Sequence, residues 1–213
     1  MRIVVLKSDS RAATAFFREN AVFQIRIHGR GGQGVVTAAE MLALAGFMEG
    51  HCAQAFPSFG SERTGAPVVA FARLAPHEIR LREPVLEPDV VLVQDRTLLE
   101  SVDVFSGLRP DGYVLINSSA DPETLGLTDL VRRLPAGHVL CIPATRFAME
   151  KIGRPLPGAG MLAGMAAMTG MMKLESVIAA YNEKFKGRVA EANAEVARSA
   201  FDAVKALQGE TNA

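Results

Sequence analysis

The sequence predicts an α/β fold: a three-layer sandwich with a mixed, mainly parallel sheet and a helical C-terminal region. Two observations support this prediction. Through most of the chain, short apolar runs alternate with segments whose apolar residues recur at helical spacing, the order expected when helices cover both faces of a sheet. Beyond residue 160, helical patterns alone follow. With 213 residues, 49% of them hydrophobic, the chain is long and apolar enough to bury a substantial core.

The main domain is predicted to begin with a strand, a helix and a hairpin. Residues 23–27 alternate apolar and polar side chains and lead into a glycine-rich loop, which indicates a strand. Residues 35–48 have helical spacing, and Gly50 is the stop signal. Residues 68–74 and 79–81 flank a turn-like Ala-Pro-His-Glu segment and predict a β-hairpin, so the sheet is expected to be mixed.

Three short apolar runs, each preceded by a turn-like segment, predict buried strands. They lie at residues 90–93, 114–116 and 139–142. The C-terminal region predicts helices at residues 161–172 and 174–186 and a last helix after Gly187. The weakly polar stretch 155–172 is short for a membrane span, and we interpret it as a buried helix.

Composition narrows the class of protein. A formal net charge of zero argues against a general binder of nucleic acid or anionic membranes. The two cysteines, Cys52 and Cys141, form no CxxC pair, so this chain alone cannot build a structural zinc site or a four-thiolate iron–sulfur cluster. Free thiols and the lack of a secretory signal favour the cytoplasm. Residues 1–20 are predicted to be an N-terminal extension with a strand and a short helix, and residues 21–213 a single domain.

The most informative motif is the glycine-rich loop between the first strand of the main domain and the helix that follows it. Its glycines remove Cβ atoms that would block a ligand, and the helix start directs free N–H groups and its positive dipole end at the loop. The arginine adds guanidinium donors. We interpret the loop as a cradle for a phosphate or pyrophosphate, formed by Gly29, Arg30, Gly31, Gly32, Gln33 and Gly34.

Two alternative interpretations of this loop stay open. The spacing Gly29-x-Gly31-x-x-Gly34 matches the dinucleotide fingerprint, which also needs an acidic residue at the end of the next strand. Glu49 has about the right spacing but ends a helix, and residues 50–57 do not look like a strand. The other alternative is a tight turn that only packs helix on strand. A P-loop is excluded because no Gly-Lys-Ser/Thr follows.

A second polar cluster, residues 54–67, lies between the first helix and the predicted hairpin. Its density of Gly, Pro and polar residues predicts a long loop, and such loops in compact domains are usually functional. Ser58, Ser61 and Thr64 supply hydroxyls, and Arg63 supplies bidentate phosphate donors that Glu62 can orient. The alternative is a solvated loop with a surface Glu–Arg pair.

Polar side chains also follow the predicted strands, where ligand sites of α/β folds gather. Asp95, Asn117 and Thr145 each come just after an apolar run. For Asp95 the alternative is a helix N-cap or a pair with Arg96. His28, beside the glycine loop, is either a polarising group or a residue hydrogen-bonded to the backbone.

The two clusters together resemble those of the gamma subunits of the 2-oxoacid:ferredoxin oxidoreductases of the pyruvate, ketoisovalerate and phenylglyoxylate type. The matching motifs are Gly-Arg-Gly-Gly-Gln-Gly at residues 29–34 and Gln-Ala-Phe-Pro-Ser-Phe-Gly-Ser-Glu-Arg-Thr-Gly-Ala-Pro at residues 54–67. Weaker similarity continues at residues 87–90 and 174–176, so that the resemblance covers roughly residues 22–205.

The resemblance implies an enzyme complex that oxidatively decarboxylates a 2-oxoacid with coenzyme A, giving an acyl-CoA, CO2 and two electrons for ferredoxin or an NAD-linked subunit. Thiamine diphosphate with Mg and the [4Fe-4S] clusters would belong to alpha, beta and ferredoxin-like delta partner subunits. Carried over by position, residues 29–34 would face the coenzyme A pyrophosphate and residues 58–63 would complete that wall. No residue of this chain is expected to be catalytic.

Two features depart from the family pattern. Members often carry Asn where this chain has Gly158, and residues 1–20 have no family counterpart that we can place; they are candidates for binding an additional subunit. Two other functions stay open: a stand-alone Rossmann-like NAD- or flavin-binding module, and a structural adaptor whose loops make subunit contacts only.

Overall fold

Seven strands form one sheet with helices on both faces, in a computed structural model that describes residues 4–6, 22–58 and 64–211. The strands are β1 (Val4–Leu6), β2 (Phe23–Arg30), β3 (Cys52–Pro57), β4 (Pro67–Ala75), β5 (Val90–Val93), β6 (Tyr113–Asn117) and β7 (Val139–Ile142). The helices are α1 (Val35–Met48), α2 (Thr128–Arg133), α3 (Ala144–Lys151), α4 (Gly158–Thr169), α5 (Leu174–Lys184) and α6 (Arg188–Thr211), with a short 3-10 helix at Arg96–Glu100.

The order of the strands across the sheet is β1-β3-β4-β2-β5-β6-β7. Strands β2, β5, β6 and β7 are parallel, whereas β4 is antiparallel to β2, β3 to β4 and β1 to β3. Strand β3 therefore points the same way as the parallel set, so that five of the seven described strands share one direction. The predicted fold class, a mixed and mainly parallel sheet in three layers, is confirmed.

Most predicted elements are confirmed, with small changes at their ends. Helix α1 and strands β5 and β7 have the predicted bounds, and the three C-terminal helices are present. Every residue of α4 is buried, as the apolar stretch predicted. Strand β1 is the extra strand predicted in residues 1–20, whereas the short helix predicted there lies outside the described residues. No helix in the described ranges is long and apolar enough to cross a membrane.

The predicted hairpin is wrong. Residues 79–81 form no strand, and β4 pairs instead with β3, in a register that places Cys52 opposite Ala75. The interpretation of residues 50–57 as non-strand, and of residues 54–57 as part of a loop, is wrong for the same reason. Strand β3 carries small alanines on one face and a buried polar Gln54 on the other, so its alternation of large apolar and polar side chains is weak.

The order of the strands creates a crevice at the carboxyl ends of the neighbouring strands β2 and β5. The chain leaves β2 through α1 toward β3 on one side and leaves β5 toward β6 on the other, although β2 and β5 are neighbours. Ligands of open α/β sheets bind at such switch points, outside the carboxyl ends of the strands. The glycine loop after β2 and the polar residues after β5 both lie at this place.

Candidate functional site

Three glycines shape the loop between β2 and α1, for two different reasons. Gly32 has φ 96° and Gly34 has φ 74°, a left-handed backbone that L side chains rarely adopt. A Cβ on Gly29 would lie 2.6 Å from Cγ2 of Val35, so that position needs glycine because helix and strand pack closely. The turn alternative therefore accounts for Gly29. The positive φ of Gly32 and Gly34 also fits that alternative, whereas the open space at Gly32, where a Cβ would meet nothing within 4 Å, leaves room for a ligand.

The start of α1 presents unpaired backbone donors. Gly34 occupies the N-cap position, and no side chain caps the helix. The first helical hydrogen bond runs from the N–H of Ala38 to the carbonyl of Gly34, at 2.8 Å. The N–H groups of Val35, Val36 and Thr37 precede that bond and have no acceptor within the helix. These three residues line a cleft of about 450 Å³ together with Gly32 and Gly34. This geometry suits an anion, because the helix dipole adds positive potential there.

A polar bridge connects the glycine loop to the end of β5. Gln33 accepts from the N–H of Arg30 and donates to Asp95, both at 2.8 Å. The Arg30 guanidinium donates to Thr97 at 2.7 Å and to the carbonyl of Gly65 at 3.0 Å, and its Nε lies 3.4 Å from a carboxylate oxygen of Asp95. The three guanidinium nitrogens of Arg30 thus all have hydrogen-bond partners within the protein, although the sequence suggested that they face a phosphate.

Asp95 is a carboxylate held by three neighbouring residues, Thr97, Gln33 and Arg30. It caps the short 3-10 helix by accepting from the N–H of Thr97 at 3.0 Å, which confirms the N-cap interpretation. Its ion-pair partner is Arg30 and not the adjacent Arg96. Partial burial acts to raise the pKa of Asp95, but hydrogen bonds from Thr97 and Gln33 and the charge of Arg30 outweigh it, and the pKa stays below its ordinary value.

The ends of β5, β6 and β7 form a second cleft, of about 470 Å³. Asn117 donates to the Gln94 carbonyl at 2.8 Å and to the Thr145 hydroxyl at 2.7 Å, and accepts from the Thr145 N–H at 2.9 Å. The polar residues that follow these three strands therefore lie together at this cleft. The lining of this second cleft includes Gln33, Asp95, Arg96, Ser119, Thr145 and Arg146.

Gln94 is a residue that the sequence analysis missed. Its side chain is 1% exposed, and within the described part of the chain neither carboxamide atom has a hydrogen-bond partner. It lies between the two glycine positions Gly29 and Gly158, 3.2 Å and 4.0 Å from where their Cβ atoms would be. The available signal was a polar residue closing the all-apolar strand β5. Buried carboxamides normally have partners, so this one points to a water or ligand atom.

His28 lies on the opposite face of the sheet from α1, beside Arg26. It is 4% exposed, and Nε2 has no partner among the described residues. Burial, with a smaller contribution from the charge of Arg26, lowers the pKa of His28 to about 4. The imidazole is therefore neutral at pH 7. It lines neither cleft, so a role in polarising a bound ligand has no support.

The C-terminal end of the second polar cluster contacts the glycine loop. The N–H of Gly65 donates to the Gly31 carbonyl at 3.0 Å, and the N–H of Gly31 donates to the Ala66 carbonyl at 2.9 Å. Thr64 lines the first cleft. Toward the N-terminal end of the cluster, the backbone N–H of Ser58 donates to the Val69 carbonyl at 2.7 Å.

Three predicted site residues of that cluster, Ser61, Glu62 and Arg63, lie outside the described residues. What the structure shows of this cluster at the first cleft is Thr64, which lines it.

Neither cysteine is placed for redox or metal chemistry. Cys52 is buried, and burial, with the charge of Asp121, raises the pKa of Cys141 to about 12, so that its thiol is protonated at pH 7. Throughout the described ranges, no group of three or more His, Cys, Asp and Glu side chains could hold a metal ion.

Two further positions bear on the open alternatives. The carboxylate of Glu49 accepts from the backbone N–H of Lys173 at 2.6 Å, which ties the end of α1 to the start of α5 and removes the acid that a dinucleotide ribose would need. A Cβ on Gly158 would lie 2.8 Å from the Tyr181 hydroxyl. The buried Tyr181 side chain therefore occupies the space that a side chain at this position would need.

Comparison with known proteins identifies the family of this chain. The family model described as pyruvate ferredoxin/flavodoxin oxidoreductase matches residues 24–203. The chain is 46% identical over 181 residues to the common gamma subunit of the pyruvate/ketoisovalerate oxidoreductases of Pyrococcus abyssi, covering 85% of this chain and 96% of that one. It is 44% identical over 187 residues to pyruvate synthase subunit PorC of Methanothermobacter thermautotrophicus, covering 88% and 98%.

A solved structure adds the fold. The crystal structure of pyruvate oxidoreductase subunit PORC from Thermotoga maritima superposes with a TM-score of 0.71 at 36% identity, over 85% of this chain and 96% of that one. The resemblance first drawn from residues 29–34 and 54–67 is confirmed. This chain belongs to the pyruvate ferredoxin/flavodoxin oxidoreductase family, as a gamma subunit of the 2-oxoacid oxidoreductases.

Proposed function

We propose that this chain helps to bind coenzyme A in a cytoplasmic multi-subunit oxidoreductase that oxidatively decarboxylates a 2-oxoacid to an acyl-CoA and CO2. Electrons pass to ferredoxin or, through an extra subunit, to NAD. Thiamine diphosphate with Mg and the [4Fe-4S] clusters belong to alpha, beta and ferredoxin-like delta subunits, and residues 1–20 are an extension for subunit contacts. The family membership supports the oxidoreductase; the cleft beside the glycine loop supports the coenzyme A role.

The observation that carries the proposal is the uncapped start of α1. The residues that carry its first N–H groups line a cleft in which Gly32 leaves open space, and Thr64 is also part of the lining. A diphosphate fits this donor set, because backbone amides and a helix dipole bind phosphate oxygens without a charged side chain. The amides of this loop are the primary donors, since most of the Arg30 guanidinium is committed to Thr97, Gly65 and Asp95.

The chain contributes position and not bond-making chemistry. Coenzyme A would supply the thiol that accepts the acyl group. Holding the diphosphate at α1 fixes the direction in which the rest of that molecule extends, and fixed orientation lowers the entropic part of a reaction barrier. Predicted contacts of Ser58, Ser61, Glu62 and Arg63 close the same wall.

The test inserts a carboxylate into the cradle of the assembled complex. Gly32→Asp places a negative charge where a Cβ meets nothing within 4 Å. The matched control is Gly126→Asp, at another exposed glycine with positive φ and open space. Both changes carry the same backbone strain and charge. Because the new carboxylate would repel the diphosphate, we expect Gly32→Asp to raise the KM for coenzyme A at least about tenfold. A tenfold rise corresponds to about 1.4 kcal/mol of lost binding.

Reduction of the complex by the 2-oxoacid in the absence of coenzyme A should survive in both variants. An unchanged KM in Gly32→Asp contradicts the proposal. Arg63→Ala is a second test, for which we expect a higher KM for coenzyme A with the 2-oxoacid half-reaction intact.

A further inference from the structure

Strand β1 adds an outermost strand to the part of the chain that matches the family. The family match begins at residue 24, so β1 lies outside the matched residues. It nevertheless pairs with β3, in an antiparallel register that places Val5 opposite Gln54. Within the matched residues alone, β3 would be the edge strand of the described sheet.

As an edge, β3 has none of the features that usually prevent an edge strand from pairing with another chain. Natural edge strands carry charged residues, prolines or bulges for this purpose. The three residues of β3 that face β1 are Ala-Gln-Ala, at positions 53–55. On its other side, β3 pairs residue for residue with β4 from Cys52 to Pro57, so it has no bulge there. Without β1, its outward N–H and C=O groups would be a template for another strand.

The side chains at this edge leave recognition to the backbone. Gln54 is 2% exposed; it donates to the Leu81 carbonyl at 3.0 Å and accepts from Arg73 at 3.1 Å. The alanines on either side of it have no polar group to offer. A ligand of this edge is therefore held by main-chain hydrogen bonds, the mode by which an extended segment adds to a sheet.

The segment that fits this edge is short, extended and apolar. Strand β1 has the sequence Val-Val-Leu, whose β-branched residues favour extended backbone. Helix α1 lies against β1 as well as β3, so a strand docked here is also covered from one face of the sheet. Three residues form few hydrogen bonds, and local opening of such an element costs little free energy. An edge with so weakly held an occupant can accept the same segment from another molecule.

We infer that the outer edge of β3 is a strand-docking site, and that β1 of the same chain is its occupant and closes the edge against pairing with other chains. The inference goes beyond the proposed function and does not depend on coenzyme A. The subunit contacts proposed for residues 1–20 then fall to the residues that follow β1.

The first test opens the edge in the full chain. The variant Val4→Pro, Val5→Pro, Leu6→Pro removes every N–H of β1 and cannot continue a ladder. Hydrogen–deuterium exchange of residues 52–57 should become at least about tenfold faster, because edge amides lose their partners. Exchange in β5 and β6, at the centre of the sheet, should stay the same and reports that the fold is intact. The control Val5→Thr keeps the N–H and the β propensity, and should keep the protection.

The second test supplies the strand from outside. A fluorescent peptide with the sequence of residues 1–8 should bind the proline variant saturably, and wild type at least about tenfold more weakly, because β1 competes within the chain. The same peptide with Val4→Pro, Val5→Pro and Leu6→Pro should bind neither protein. If the triple variant does not fold, Val5→Pro alone takes its place in both tests. Unchanged exchange in residues 52–57, no binding of the peptide to the variant, or equal binding of the two peptides or to the two proteins overturns the site.

Discussion

The two faces of the sheet are built by different means. The face toward α1 and α4 to α6 is one continuous apolar cluster, rich in alanine and methionine from both strands and helices. The opposite face divides, within the described residues, into three smaller clusters. Between them lie buried polar side chains, chiefly Arg26, His28, Gln54 and Arg73.

The difference reflects what covers each face. On the first face, small residues allow close packing of helices: a Cβ on Gly46 would lie 2.4 Å from a Leu74 methyl carbon. On the other face, beside β3 and β4, irregular segments replace helices, and their carbonyls need donors. Arg26 donates to the carbonyls of Val85 and Val104 at 3.3 and 3.0 Å. Long polar side chains thus anchor loops where apolar packing alone leaves backbone groups unpaired.

The largest expected effect is on the polar face. Arg73→Ala removes donors to the side chains of Gln24 and Gln54, at 3.0 and 3.1 Å, and to the Glu83 carbonyl at 2.7 Å. Because the Gln54 oxygen is left buried and unpaired, and the space of a fully buried arginine is emptied, we expect the free energy of unfolding to fall by about 3–4 kcal/mol. Denaturant unfolding of the purified chain measures this. The control, exposed Arg82→Ala, should change it by less than about 0.5 kcal/mol. Equal losses of unfolding free energy in the two variants would show that the hydrogen bonds of Arg73 do not stabilise the fold.

The second prediction concerns pH and the same face. His28 has a pKa of about 4 in the folded protein, against 6.5 as its ordinary value, because burial disfavours the imidazolium. Between these values the unfolded chain binds a proton that the folded protein does not. The contribution of His28 to the free energy of unfolding is therefore fully present above pH 6.5. It declines as the pH falls to about 4, by up to about 1.4 kcal/mol per pH unit.

His28→Gln tests the source of this slope. Unfolding free energies measured from pH 7 to pH 4 should depend less on pH in the variant than in wild type. Some dependence should remain, because burial also lowers the pKa of His51. Identical slopes in the two proteins would assign the effect to other groups.

The smallest effect compares a buried and an exposed glycine in two helices of the apolar face. Gly164→Ala in α4 places a Cβ 2.8 Å from a Leu115 methyl carbon and 2.9 Å from one of Ile142. Overpacking outweighs the helix propensity gained, so we expect a loss of about 1 kcal/mol in unfolding free energy. Gly209→Ala, where a Cβ meets nothing within 4 Å, should instead gain about 0.5–1 kcal/mol. Thermal or denaturant unfolding distinguishes the two, and stabilisation by both would mean that the first face is loosely packed.

The same division explains which elements could be predicted. Strands β5 to β7 are buried on both faces and appear in the sequence as apolar runs, and α1 and α4 to α6 show helical spacing or continuous burial. Strand β3 was missed because its polar Gln54 is accommodated by Arg73, a partner 19 residues away. No local pattern contains that information, so residues 79–81 were wrongly chosen as the partner of β4.

By itself, the sequence determined the layer architecture, the glycine turn before α1 and the family, because periodicity, backbone freedom at glycine and a motif of contiguous residues are local properties. Tertiary structure alone decided that Arg30 and Gln33 meet Asp95 and that Gln94 is buried without a partner. Those contacts depend on β5 lying beside β2, an order of strands that is set by long-range packing and that places side chains more than 60 residues apart within hydrogen-bond distance.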